Sequence, residues 1–135
     1  MKLLSKLLVV AVVLIALCAT ANAALSITAH LTNVNAAGEG VGPCPNTFNF
    51  TGTINTAGWL AGSNGQIQYR FERSDGTNEK THQLTFPVSG GSKQVVDSWT
   101  KGGKGSFWEQ LHILKPIDVL SNKSHFSVLC HGQGY

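Results

Sequence analysis

The chain has 135 residues, with ten Lys/Arg against seven Asp/Glu and a formal net charge of +3. Two of those cations, Lys2 and Lys6, sit at the extreme N-terminus; the remainder is eight against seven, or +1. That balance excludes the clustered basic face that nucleic acid requires, and Lys101 and Lys104 in "TKGGKGS" form a loop pair, not a patch.

The chain opens "MKLLSKLLVVAVVLIALCATANA". A charged start, an apolar run from Leu7 to Ala19 and the small residues Ala21 and Ala23 in A-x-A spacing make the layout of a secretory signal peptide. Cleavage after Ala23 is expected, giving a signal peptide at 1–23 and one domain at 24–135, of 135 − 23 = 112 residues. The apolar run is short for a bilayer and no second one follows, so no membrane span is expected once the leader is removed. Leu17 stands where a lipid-attachment cysteine at Cys18 would need a small residue. The expected location is secreted or periplasmic.

After the leader, short alternating runs recur between turn clusters. "LSITAHLT" (25–32) puts Leu25, Ile27, Ala29 and Leu31 on one face. "TFNFTGTI" (47–54) does the same with Phe48, Phe50 and Ile54 around Gly52, and "QIQYRFER" (66–73) with Ile67, Tyr69 and Phe71. "HQLTF" contributes Leu84 and Phe86, while "KQVVDSWT" (93–100) is apolar without a clear phase. "SFWEQLHIL" (106–114) sets Phe107, Leu111 and Ile113 against Trp108 and Leu114, and "HFSVLC" (125–130) aligns Phe126, Val128 and Cys130. A period of two over five to eight residues marks half-buried strands. "NTAGWLAGSNG", "SDGT", "VSGGS", "KGGKG" and "PIDVLSNKS" read as turns. No amphipathic helix is evident outside the leader. The prediction is an all-β fold, an antiparallel sandwich of about seven strands.

Two cysteines remain beyond the leader, Cys44 in "GPCPNTF" and Cys130 in "FSVLC". If successive strands alternate direction, the start of the second run and the end of the last fall at one pole of the sandwich. In an oxidising compartment a Cys44–Cys130 disulfide is expected there, closing a loop of roughly 86 residues and contributing on the order of 4–5 kcal/mol. Two free buried thiols, or a zinc site with His131, are the alternatives, the latter without the ligand spacing of zinc modules. Pro43 and Pro45 lack an N–H and keep the approach to the second run extended.

The order "GPCP…FNFTGTI…IQYRFERSDG…LTF…W…FWEQLHILKP…FSVLC" resembles small secreted immunoglobulin-like domains of bacterial exported proteins. The likeness covers roughly 41–130. It differs from antibody domains in where the cysteines lie and in having Tyr69 and Phe71 in place of a third-strand tryptophan. The resemblance implies a β-sandwich, export, and an adhesion, binding or structural role.

Little in the chain points to catalysis. His30, His82, His112, His125 and His131 are scattered without HxH or HExxH spacing, and no G-x-S-x-G elbow occurs. No cofactor or metal is expected. Glu72 with Asp75, and Asp97 with Glu109, are the carboxylates that proximity could pair, but a glycosidase pair needs a cleft. "SDGT" reads as a turn. Trp59, in the long loop after the second run, is the candidate binding residue, because loops on a rigid scaffold often carry recognition. Trp99 and Trp108 read as core or sheet-surface packing. Asn49 ("NFT") and Asn122 ("NKS") are sequons. The expected function is a non-enzymatic binding, adhesion or structural module, with an exported metal-dependent enzyme or a carbohydrate-binding module as the alternative. Expected partners are a cell-surface or extracellular protein or glycan, or a second copy met through an unpaired sheet edge.

Overall fold

The computed structural model describes residues 24–34, 39–77 and 80–130; the leader and its cleavage site lie outside them. The strands are β1 (Ser26–Asn33), β2 (Glu39–Gly42), β3 (Asn46–Ala57), β4 (Gln66–Arg73), β5 (His82–Thr85), β6 (Gly91–Lys101), β7 (Gly105–Lys115) and β8 (Val119–Cys130). They form a three-stranded sheet, β1-β3-β6, and a five-stranded sheet, β2-β8-β7-β4-β5. The architecture is the expected immunoglobulin-like β-sandwich.

Two expectations need correction. The short strand β2 was not anticipated, and it runs parallel to β8, so the pairing is not wholly antiparallel. "PIDVLSNKS" is a turn only through 116–118; from Val119 it is already strand. Its polar composition reflects a bulge. Gln110 pairs with Lys123 but His112 with Leu120, so β8 carries one extra residue at 121–122.

Alternation dictates the core. Ile27 and Leu31, Phe48, Phe50 and Ile54, Ile67 and Phe71, Leu111 and Ile113, and Phe126 and Val128 are all buried between the sheets. The run of unclear phase resolves with Val95 and Trp99 inward and Val96 outward. Gly52 marks the tightest approach: an added Cβ would come within 2.8 Å of Leu111 Cδ2 and 3.0 Å of Val95 Cγ2. Any larger residue there would wedge the sheets apart.

The register defines two poles. Gly42 pairs with Cys130, so Cys44 and the start of β3 lie at the pole where β8 ends. At the other pole Gln66 pairs with Thr85 and Gln68 with Lys115, which gathers the loops 58–65, 86–90 and 116–118.

A side chain closes the β1 edge. Asn122, on the β8 bulge, accepts a hydrogen bond from Leu31 N–H and donates one to Leu31 C=O, both 2.8 Å. Its carboxamide thus stands in for a neighbouring strand. The bulge is itself fixed by Ser121, whose Oγ accepts from Leu111 N–H at 2.9 Å, and by Gln110 Nε2, which donates to Ser121 C=O at 2.7 Å.

Removing this clamp leaves the Leu31 amide and carbonyl without those partners. Asn122→Ala is expected to lower stability by about 2 kcal/mol, read from the urea midpoint, with β-sheet circular dichroism retained.

Candidate functional site

The loop pole is built on a rigid base. Gly65 adopts φ +63°, and its carbonyl accepts a 2.8 Å hydrogen bond from Phe86 N–H. A Cβ at Gly65 would stand 2.0 Å from Phe86 O, so only glycine lets the 58–65 and 86–90 loops join this closely. Trp59 is half-buried here. Its ring packs on the core, and its Nε1–H donates to Thr56 Oγ1 at 2.9 Å. Leu60 beside it is 68% exposed, and Val88 and Ile117 are exposed on the other two loops. Sequence reasoning chose Trp59 and passed over Leu60. The available signal was a leucine set among Gly, Ala and Ser in "GWLAGSNG", with no strand phase to direct it inward.

At the opposite pole Cys44 is half-buried against the core, and its Sγ accepts a 3.7 Å contact from Asn46 Nδ2. The backbone of Cys130 is one β2–β8 pairing away, but its side chain, like His131, lies outside the described residues.

Two ionic clusters occupy the sandwich. On the outer face of the five-stranded sheet, Glu72 Oε1 accepts from Arg70 Nε and Nη2 at 2.9 and 2.8 Å and also bonds His112 Nδ1. His112 Nε2 lies 2.9 Å from Asp118 Oδ1. Burial alone would lower the His112 pKa, but hydrogen bonds to the two carboxylates outweigh it and raise it. Burial would raise Glu72, but His112 and Arg70 pull it below its ordinary value. Both groups are therefore charged together from mildly acidic pH up to the neutral range, and the imidazole is held as a structural cation.

The second cluster faces inward. Arg73 Nη2 donates to Asp97 Oδ2 at 3.0 Å and to Ser98 C=O at 3.2 Å, its Nε lies 3.5 Å from Glu109 Oε2, and its guanidinium sits 5.0 Å over Trp99. Glu109 is 0% exposed. Burial first, then the neighbouring Asp97 carboxylate, push its pKa up to about 9 against the pull of Arg73. As an ionised group it would rest on the long 3.5 Å ion pair from Arg73 Nε, with neither oxygen closely hydrogen-bonded. As a neutral acid it can donate to Asp97, which removes the conflict. Asp97 and Glu109 thus converge as paired carboxylates, but inside the sandwich and not in a cleft. Glu72 and Asp75 separate: Asp75 Oδ1 accepts from Thr77 N–H and Oγ1–H, and its Oδ2 faces Lys101 Nζ at 3.3 Å.

The other candidates are dispersed. His30, His82 and His125 are exposed, with His82 stacked on Tyr69 at 5.3 Å. Trp99 is buried, whereas Trp108 lies on the outer sheet face beneath Lys123 Nζ, 4.2 Å from its ring. Among the described residues no group of three or more His, Cys, Asp or Glu converges in an arrangement that could hold a metal, and no helix is long and apolar enough to cross a membrane.

The fold is similar to that of CARDB domains of known structure. The chain superposes on a crystal structure of a CARDB domain from Pyrococcus furiosus, described as a complex with di-metal ions, with a TM-score of 0.60 and 13% identity, covering 79% of this chain and 96% of that one. A solution structure of a CARDB domain from the same organism gives a TM-score of 0.56 and 16% identity, covering 78% and 95%. Likeness at these identities shows the fold alone. No protein-family model matches the sequence, and no curated protein matches it.

The protonated state of Glu109 carries a pH signature. Its folded pKa lies above the ordinary 4.5, so the folded state binds the extra proton and loses stability as pH rises between 4.5 and about 9. Glu109→Gln keeps the neutral shape without that liability. Its urea midpoint is expected to gain on the wild type steadily across this window, as measured by parallel titrations at pH 5, 7 and 9.

Proposed function

We propose that this protein is a secreted, non-enzymatic binding, adhesion or structural module, stapled by a Cys44–Cys130 disulfide, that presents its loop pole to a cell-surface or extracellular protein or glycan. The observation that carries the reading is the convergence of three loops at one end of a rigid sandwich, with Leu60, Val88 and Ile117 offering apolar side chains to solvent. Exposed apolar groups grouped on such loops are the feature of the surface most suited to recognition. Trp59 belongs to this end as the residue that seats the loop, its indole packed on the core and bonded to Thr56.

The staple is supported by the pairing of Gly42 with Cys130, which brings the β8 terminus to within two residues of Cys44. The signal-peptide layout of residues 1–23 supports export. Intact-mass measurement of the exported protein after alkylation without reductant is expected to show neither cysteine labelled; two labelled thiols would remove the staple.

Leu60→Asp changes a solvent-facing side chain and should leave the melting temperature unchanged, whereas Trp59→Ala should also lower it. Both are expected to weaken binding in glycan-array and envelope-protein assays by about tenfold or more, the loss typical of a central anchor. Binding by folded Leu60→Asp at wild-type strength would refute the loop pole as the binding end.

A further inference from the structure

The two sheets have four outer edges, and three are closed or short. β2 and β5 are four residues each. β1 is clamped by Asn122 at Leu31. The fourth, β6, is eleven residues long and terminal in its sheet, with no strand beyond it among the described residues. Long unpaired edges template further pairing, and proteins that stay single usually blunt them with charge, proline or a bulge. β6 contains no proline, and its register with β3 is unbroken from Asn46↔Lys101 to Thr56↔Gly91.

The hydrogen-bonding phase of this edge follows from its neighbours. Val34 N–H donates to Asn49 C=O, so the backbone of Asn49 faces β1. Ser98, opposite Asn49, therefore directs its own N–H and C=O away from β3. The Arg73 bond to Ser98 C=O fits that direction. By alternation Ser92, Gln94, Val96, Ser98 and Thr100 all present backbone groups to the free edge. Their side chains point to the outer face of the sheet and are exposed. None is charged, and Val96, 75% exposed, is the most exposed large hydrophobic residue described.

We propose that β6 pairs antiparallel with β6 of a second copy of this chain, about a two-fold axis at Val96. Val96 is the midpoint of the strand, so this register uses its full length. It sets Val96 on its twin, Gln94 opposite Ser98 and Ser92 opposite Thr100, every one a residue whose backbone faces outward. On the inner side it sets Lys93 opposite Trp99, Val95 opposite Asp97 and Gly91 opposite Lys101, and no two like charges oppose. A register centred one residue later would place Asp97 on Asp97. The Ser98 carbonyl has a second lone pair, so its bond from Arg73 does not block the pairing. The product is a continuous six-stranded sheet, β1-β3-β6 joined to β6-β3-β1, with the isologous symmetry commonest among homodimers. This surface is separate from the loop pole, and it gives a definite site to self-association through a sheet edge.

Sedimentation velocity of the exported protein tests it. The wild type is expected at twice the monomer mass. Val96→Lys and Val96→Glu, each placing like charges across the axis, are expected to sediment as folded monomers, and mixing the two is expected to restore a one-to-one dimer. Val96→Cys should give a covalent dimer under oxidation, because Cα atoms of a hydrogen-bonded antiparallel pair lie about 5.5 Å apart, within disulfide reach. A wild type that is monomeric at high concentration, or a Val96→Lys protein that remains dimeric, would overturn the proposal. Loss of ligand binding in Leu60→Asp with the dimer intact would report on the loop pole alone.

Discussion

One aromatic ring holds the two layers in their relation. Phe126 of β8 lies 4.3 Å from Phe48 and 5.6 Å from Phe50 on β3, 5.3 Å from Trp99 on β6, and 5.7 Å from Phe107 on β7. Three of these partners belong to the opposite sheet. The tilted and edge-on geometries suit ring quadrupoles better than stacked faces. Phe126 thus ties β8, which pairs with β2 and β7 in its own sheet, to both β3 and β6 of the other.

The same interior admits charge at one end. Arg73, Asp97 and Glu109 come from β4, β6 and β7 and join the sheets where the aromatic cluster runs out. Buried charges of this kind are costly unless neutralised. Here one carboxyl keeps its proton, so the cluster is a cation and a single anion bridged by a neutral acid. It ties β4, β6 and β7 together, and it places two acidic residues separated by twelve positions side by side within the sandwich.

Much of the fold is legible in the chain because the period of two is clean wherever one face is apolar. Phe48, Phe50 and Ile54, or Ile67, Tyr69 and Phe71, admit no other phase. The pattern fails where polar side chains do inward or lateral work. Asp97 faces inward despite its chemistry while Val96 faces out, so β6 has no readable phase. Ser121 and Asn122 imitate a turn because a bulge uses their side chains as backbone substitutes. β2, four residues with two glycines, carries too little apolar surface to announce itself. At the candidate site the tryptophan was found by type, while its exposed neighbour Leu60 could be found only once the loop's direction was known.

The Asn122 clamp also bears on how the domain would carry load. β1 and β8 both run from the loop pole toward the cysteine pole, and the described chain therefore starts at one end of the sandwich and finishes at the other. Tension applied through those ends pulls the two strands lengthwise past each other. Their link then fails by shear, with the Leu31 bonds and the flanking ladders strained at the same moment, and does not unzip one bond after another.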